Sequence, residues 1–119
     1  MTESFSPKVG NVMYPAEDVA KAVAFYTEGL GLKVKFADGT RFAALDGGGV
    51  TFAIAGEEED LVGAPAASFK VEDVAAAVDR LVAAGAEVLR AAEEGPHEIR
   101  AVLRDPAGNP FVVYAPVQR

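Results

Sequence analysis

The chain has 119 residues, half of them hydrophobic and about a quarter charged, with no cysteine and a single histidine, His97. This length predicts one domain that can bury its own core, and the lack of cysteine excludes disulfides, thiolate metal sites and a cysteine nucleophile. The net charge of −7 disfavours nucleic acid as a partner. Since neither a membrane-spanning apolar stretch nor a signal peptide is recognisable, we expect a cytoplasmic protein that does not bind membranes.

The first half of the sequence predicts a strand, a helix and three further strands. An apolar run at 9–14 that ends before a proline has strand character. Asp18 begins a helix with apolar residues at helical spacing, and Gly29 and Gly31 end it. The remaining strands, separated by an Asp-Gly hairpin turn and a glycine-rich turn, are expected at 33–37, 41–45 and 50–55.

The second half predicts the same order of elements. Residues 57–64 begin with four consecutive acids and indicate a solvated linker. A helix is expected from Asp73 to Gly85, and Pro106 and Gly108 predict a turn before the last strand. The strands of this half are expected at 66–71, near 86–90, at 98–104 and at 110–115.

The two halves also repeat residue by residue. Residues 17–23 match residues 72–78 at six of seven positions when the sequence is shifted by 55. A shift of 59 places four later residues on their counterparts, namely Arg41 on Arg100, Asp46 on Asp105, Gly49 on Gly108 and Phe52 on Phe111. The repeat predicts a single α+β domain, 1–119, of two tandem βαβββ modules at about 8–56 and 65–116. We expect a cupped, curled mixed sheet around a shared cavity, with the helices outside.

Strand alternation assigns side chains to the two faces of these sheets, because successive residues of a strand point to opposite sides. The larger apolar residues share one phase and are predicted to face the helices; they are Val12, Tyr14, Phe52, Ile54, Phe69, Val71, Phe111 and Val113. The opposite phase is smaller and more mixed, as expected of a cavity lining. Its main members are Asn11, Met13, Ala53, Ala66, Ser68, Val112 and Tyr114.

Two motifs resemble a known family. The helix sequence DVAKAVAFY at 18–26, which leads to Gly-Leu-Gly at 29–31, and the DPAGNPF sequence at 105–111 are similar to those of the vicinal oxygen chelate superfamily. This superfamily includes glyoxalases, bleomycin-resistance proteins and extradiol dioxygenases. The resemblance covers residues 8–116, and it implies a cupped cavity between two modules and, often, a dimer.

The resemblance also implies where metal-dependent members hold their ion. One ligand of each module lies seven residues before the Asp that begins the helix, which gives Asn11 and Ala66 here. The other lies four residues after the glycine of the turn, which gives Ala53 and Val112. A single amide does not hold a divalent cation, so we predict no metal, no cofactor and no catalytic residues.

Several polar side chains have both a functional and a structural interpretation. His97 is either a ligand contact or an exposed loop residue, and its Gly-Pro flank favours the loop. Arg41 and Arg100 either clamp a carboxylate or phosphate or pair with surface acids, and the second interpretation is favoured. Ser68 and Tyr114 either hydrogen-bond a ligand or are satisfied within the protein.

These observations together predict a metal-free small-molecule binding protein of the glyoxalase/bleomycin-resistance type, a homodimer that sequesters a drug or metabolite and so serves antibiotic resistance. The alternative is a lyase, isomerase or dioxygenase-type enzyme of the same superfamily that uses a divalent metal or acid–base residues. The predicted ligand contacts are Asn11, Met13, Ala53, Ala66, Ser68, Val112 and Tyr114, with His97 and Arg100 at the rim.

Overall fold

The computed structural model describes residues 7–117, which form eight strands and two helices. Strand, helix and three strands follow one another twice, which confirms the predicted α+β fold. In chain order the elements are β1 (Lys8–Pro15), α1 (Val19–Leu30), β2 (Val34–Asp38), β3 (Phe42–Asp46), β4 (Thr51–Ala55), β5 (Ala66–Lys70), α2 (Val74–Ala83), β6 (Glu87–Glu94), β7 (Glu98–Arg104) and β8 (Pro110–Pro116).

The chain divides into two compact units. The N-terminal unit is Asn11–Ala66, and the C-terminal unit combines the described residues 7–10 with residues 67–117. Within the described part of the chain, neither helix is long and apolar enough to cross a membrane.

In the N-terminal unit the strand order is β2-β3-β4-β1, with β1 parallel to β4 and the other pairs antiparallel. Helix α1 covers one face of this sheet. Leu45 and Ile54 are buried beneath it, and the ring of Tyr26 meets that of Phe52 edge-on at 4.8 Å. The predicted helix-facing phase of β4 is therefore confirmed.

The C-terminal unit repeats this arrangement with the order β5-β8-β7-β6, in which β5 is parallel to β8. Helix α2 covers one face, and Leu103 and Val113 are buried under it. The rings of Phe69 and Phe111 pack edge-on at 5.8 Å on the same side. The helix-facing phase predicted for β5 and β8 is confirmed as well.

Both helices begin at an aspartate. The side chain of Asp18 accepts a hydrogen bond from the Lys21 amide, and Asp73 accepts one from the Ala76 amide, each at 3.0 Å. Such bonds satisfy amides that lack a partner in the first turn. Helix α1 ends at Gly31, which has a φ of 73°, whereas Gly29 lies inside the last turn, so only one of the two predicted stop glycines ends the helix.

An aspartate also organises the turn before the last strand of each unit. The Asp105 carboxylate accepts hydrogen bonds from the amides of Ala107 and Asn109, both at 2.9 Å, and Gly108 adopts a φ of 96°. In the N-terminal unit the Asp46 carboxylate accepts one from the Gly48 amide at 2.8 Å. The predicted turns are present at both positions.

Candidate functional site

Two of the predicted ligand contacts are neighbours on the sheet of the C-terminal unit. Ser68 of β5 pairs with Val112 of β8, which pairs with Val102 of β7. Because Phe69 and Val113 face α2, these three residues lie on the opposite side of the sheet. We call this side of each unit's sheet, turned away from its helix, the helix-free face.

A second row on this face is polar. Lys70 of β5 pairs with Tyr114 of β8, and Tyr114 pairs with Arg100 of β7. Residues directly opposite each other on neighbouring strands have Cβ atoms about 5 Å apart. The row therefore places a lysine, a tyrosine and an arginine at successive positions across three strands, and we call it the donor row (Lys70, Tyr114 and Arg100).

Tyr114 is held in place at the middle of the donor row. Its hydroxyl lies against Gly10, where a Cβ atom would overlap it. Burial raises the pKa of the Tyr114 hydroxyl, and the negative charge of Glu98 raises it further. The phenol is therefore a neutral hydrogen-bond donor at physiological pH.

Arg100, like Lys70, is half-buried. Its Nε is buried and has no hydrogen-bond partner among the described residues. The guanidinium borders Gly95, where a Cβ atom would lie 2.5 Å from Nη1, and the Gly95 amide donates to the Glu98 carbonyl at 2.7 Å. A glycine at position 95 thus leaves room for the guanidinium beside the sheet.

Two other arginines of this sheet form exposed ion pairs. Arg90 Nη2 lies 3.9 Å from Glu93 Oε1, and Arg104 Nε lies 3.7 Å from Glu87 Oε1. All four side chains are about half exposed or more, so these pairs contribute little to stability.

The helix-free face of the N-terminal unit is mainly apolar at its centre. Met13 of β1 pairs with Ala53 of β4, which pairs with Ala44 of β3. Ala44 pairs in turn with Phe36 of β2, whose ring is exposed. This row has small side chains in the middle and larger apolar side chains at its ends.

Asn11 occupies the neighbouring row of the N-terminal unit. It pairs with Thr51, whose hydroxyl accepts a hydrogen bond from Lys35 Nζ at 2.8 Å. The Oδ1 atom of Asn11 is buried and has no hydrogen-bond partner in the part of the chain described. This acceptor would be satisfied by a donor from a ligand or from water.

The residues at the positions implied for a metal do not fit one. Ala53, Ala66 and Val112 are buried hydrocarbon side chains, and Asn11 offers a single amide oxygen. Across residues 7–117, no three or more His, Cys, Asp or Glu side chains form a group that could hold a metal ion. A divalent cation needs three or more such ligands.

Two other candidates lie in different surroundings from the donor row. His97 is exposed in the bend before β7. Arg41 is exposed and its Nη2 lies 2.9 Å from Glu59 Oε2, a hydrogen bond that, with the charge of Glu58, raises the pKa of the Arg41 guanidinium. The repeat therefore aligns Arg41 with Arg100, but the first makes a surface ion pair and the second lies on the helix-free face.

Sequence reasoning missed Lys70 and the two apolar residues Val102 and Phe36. Lys70 follows Ser68 by two residues, so strand alternation alone places it on the same face. Val102 follows Arg100 in the same way. Phe36 was not accessible to this argument, because an irregularity between Val34 and Phe36 shifts the register of β2.

Sequence comparisons support the same family. A family model described as a glyoxalase-like domain matches residues 11–114. An uncharacterized protein of Mycolicibacterium smegmatis is 38% identical over 113 residues, which cover 94% of this chain and 97% of that protein.

Solved structures with little sequence identity share the fold. Methylmalonyl-CoA epimerase from Mycobacterium tuberculosis is 17% identical, with a TM-score of 0.70, over 92% of this chain and 88% of that one. A glyoxalase/bleomycin resistance protein/dioxygenase superfamily member from Vibrio splendidus is 18% identical, with a TM-score of 0.65, over 94% and 99%. A 2,3-dioxygenase from Pseudomonas is 18% identical, with a TM-score of 0.61, over 91% of this chain and 42% of that one.

Proposed function

This chain belongs to the glyoxalase-like family of the vicinal oxygen chelate superfamily, and from that premise we propose that it is a small-molecule binding protein that works without a divalent metal. The observation that carries the proposal is the donor set at the four positions where the superfamily places metal ligands. Three of them, Ala53, Ala66 and Val112, have no donor atom, and the fourth, Asn11, has one amide oxygen.

This replacement changes what the face can do chemically. A divalent ion acts as a Lewis acid and as a template for substrate oxygens, and the side chains at these four positions do not supply the ligands that would bind it. Alanine and valine place apolar side chains at the same positions, and an apolar lining with a few convergent polar groups is typical of ligand sites.

We assign ligand binding to the helix-free face of the C-terminal unit. Val112 and Val102 supply apolar side chains to it, and Ser68, Tyr114 and Arg100 supply polar groups. The predicted contacts of the N-terminal unit, Asn11, Met13 and Ala53, remain part of the proposal, as do Ala66 and, at the rim, His97. The protein would sequester its ligand, a drug or a metabolite, in the cytoplasm.

A homodimer is also part of the proposal. In each unit an outer strand, β2 or β6, lies at the end of the strand order, and every residue of both strands is exposed. Exposed edge strands tend to be covered by another element or chain. Light scattering distinguishes a dimer from the 12.4 kDa monomer.

The test is a thermal-shift screen of protein treated with EDTA, against neutral, anionic and cationic small molecules. A ligand present at 100 times its dissociation constant adds about 2.7 kcal/mol to the free energy of unfolding. We expect at least one class to raise the Tm equally in treated protein and in protein resupplied with Mn²⁺, Ni²⁺ or Zn²⁺. Stabilisation that occurs only with metal would overturn the proposal.

An acid–base enzyme is the second candidate, because an acid and a phenol lie on adjacent strands. Glu98 is two residues before Arg100, the residue opposite Tyr114, and its charge raises the pKa of the Tyr114 hydroxyl; general acid–base catalysis uses such groups. Any carbonyl compound that binds can be incubated with the protein in D₂O. Catalysed exchange of its α-hydrogen would favour an isomerase or lyase over a binding protein.

A further inference from the structure

We infer that the ligand carries a carboxylate, which Arg100 binds through its guanidinium with Tyr114 and Lys70 as neighbouring donors. This inference rests on the proposed function, because it names the chemical class of the molecule held on the helix-free face of the C-terminal unit. It departs from the interpretation that the sequence favoured for Arg100, a surface ion pair.

The Arg100 side chain has a hydrogen-bond donor without an acceptor in the described part of the chain. Its Nε–H is removed from solvent and has no acceptor among the described residues, although buried donors are nearly always hydrogen-bonded. A guanidinium offers parallel N–H groups that match the two oxygens of a carboxylate. The residue as a whole is only partly buried, so a ligand carboxylate would bind the terminal amino groups of the guanidinium and neutralise a charge that the protein leaves incompletely satisfied.

The donor row supplies two further donor side chains. Tyr114 lies directly across from Arg100, and Lys70 lies directly across from Tyr114. The phenol stays protonated because burial and Glu98 raise its pKa, so all three side chains donate. A face that presents donor side chains on three adjacent strands suits a ligand group that only accepts hydrogen bonds, as a carboxylate does.

The acids on the helix-free face weaken the long-range electrostatic attraction of an anion to this site. Glu93 pairs across the strands with Arg100, but its Oε1 lies 3.9 Å from Arg90 Nη2, and Glu98 lies near Tyr114. The chain as a whole has a net charge of −7, which repels anions at a distance. Binding of a carboxylate should therefore depend on direct hydrogen bonds, and moderate salt should weaken it little.

The experiment follows the arginine Nε–H signals in ¹H–¹⁵N spectra during titration with three probes. Benzoate carries the carboxylate, benzamide is its neutral counterpart of nearly the same shape, and inorganic phosphate is a competing anion. The Arg100 signal is identified by its loss in Arg100→Gln. We expect saturable shifts of this signal with benzoate, with an affinity at least ten times that for benzamide or phosphate.

Two variants locate the effect. Arg100→Gln should weaken benzoate binding at least tenfold, and Arg100→Lys should restore it only in part, because lysine keeps the charge but lacks the planar pair of donors. The matched control is Arg104→Gln on the same strand, whose exposed side chain lies near Glu87. It should change the affinity less than twofold, and circular dichroism checks that each variant is folded.

The outcomes separate this inference from the proposed function. Equal binding of benzoate and benzamide, or an unchanged affinity in folded Arg100→Gln, would overturn the carboxylate while leaving metal-free binding intact. Tighter binding of phosphate than of benzoate would also overturn it in favour of another anion. Benzoate binding that requires a resupplied metal would overturn the proposed function itself.

Discussion

The two units share their backbone plan and their helix-facing cores but not their helix-free faces. In both, a parallel strand pair lies beside two antiparallel ones, and a leucine, Leu45 or Leu103, is fully buried opposite a phenylalanine of the last strand. In the N-terminal unit the helix-free face has an apolar row, in which two alanines lie between Met13 and Phe36. In the C-terminal unit the face has the donor row.

This difference indicates which positions of the sequence are constrained by the repeated fold. A core position that packs against a helix must keep its volume and its apolar character, so the two halves stay alike there. Side chains on the helix-free face do not pack against the helix of their unit, so the two halves can differ there. The chemistry of binding can therefore lie in one unit while the fold is repeated in both.

The comparison predicts, first, that the two cores are of similar strength. Leu45→Ala and Leu103→Ala should each lower the free energy of unfolding by about 2–5 kcal/mol, because each leaves a cavity beneath a helix. Urea denaturation at neutral pH measures both values. The matched controls Leu45→Met and Leu103→Met should each lower it by less than about 1.5 kcal/mol. If the free energy of unfolding fell by less than about 1 kcal/mol in only one of the two alanine variants, the two cores would not be of similar strength.

A second prediction concerns the glycine beside the donor row. Gly10→Ala should destabilise the protein by about 1–3 kcal/mol, because the new Cβ overlaps the Tyr114 hydroxyl and must displace the ring. Gly29→Ala is the control, since nothing lies within 4 Å of its Cβ position, and in α1 it should be stabilising by up to about 1 kcal/mol. Thermal denaturation compares them. A neutral Gly10→Ala would show that the ring is not held by this contact.

The third prediction uses the two helix caps, which the repeat makes equivalent. Asp18→Ala and Asp73→Ala should each reduce the free energy of unfolding by about 1 kcal/mol, because each removes the acceptor of one first-turn amide. Replacement by Asn or Ser should restore most of the loss. If only one of the alanine variants is destabilised, the two caps are not equivalent, and the similarity of the two units does not extend to the first turns of their helices.

The smallest effect is expected at the turn of the C-terminal unit. The Asn109 amide, helped by other backbone amides of the turn, holds the pKa of the Asp105 carboxyl below its ordinary value. A lowered pKa stabilises the fold above the pKa of the unfolded chain, and this contribution is lost as the pH falls through the folded value. The stability difference between the native protein and Asp105→Asn should therefore favour the native protein at pH 7 and shrink below about pH 4. A difference that is independent of pH would contradict it.

Most of the fold could be predicted from the sequence. The repeat and the Asp-Val-Ala helix starts located both helices, and strand alternation assigned Phe52, Phe69 and Phe111 to the helix-facing side correctly. Strand ends were less accessible. Strand β6 was expected to end near residue 90 but extends to Glu94, because irregularities in its pairing with β7 leave no simple alternation to follow.

The candidate site was predictable only in part. Alternation grouped Ser68, Val112 and Tyr114, but pairing partners across strands depend on register, which a single strand does not reveal. The surroundings of Arg41 and Arg100 also depend on the register of the strands. Because both repeated positions hold arginine, the sequence suggested that Arg41 and Arg100 share one role, whereas their contacts in the structure differ.

Metal-free binding on the helix-free face is tested most directly by an amide chemical-shift map of protein treated with EDTA and saturated with the best compound from the thermal-shift screen. We predict that the largest shifts lie along β5, β7 and β8, centred on Ser68, Arg100 and Tyr114, and that adding Mn²⁺ or Zn²⁺ does not change them. Shifts confined to other elements, or shifts that appear only when metal is added, would contradict it.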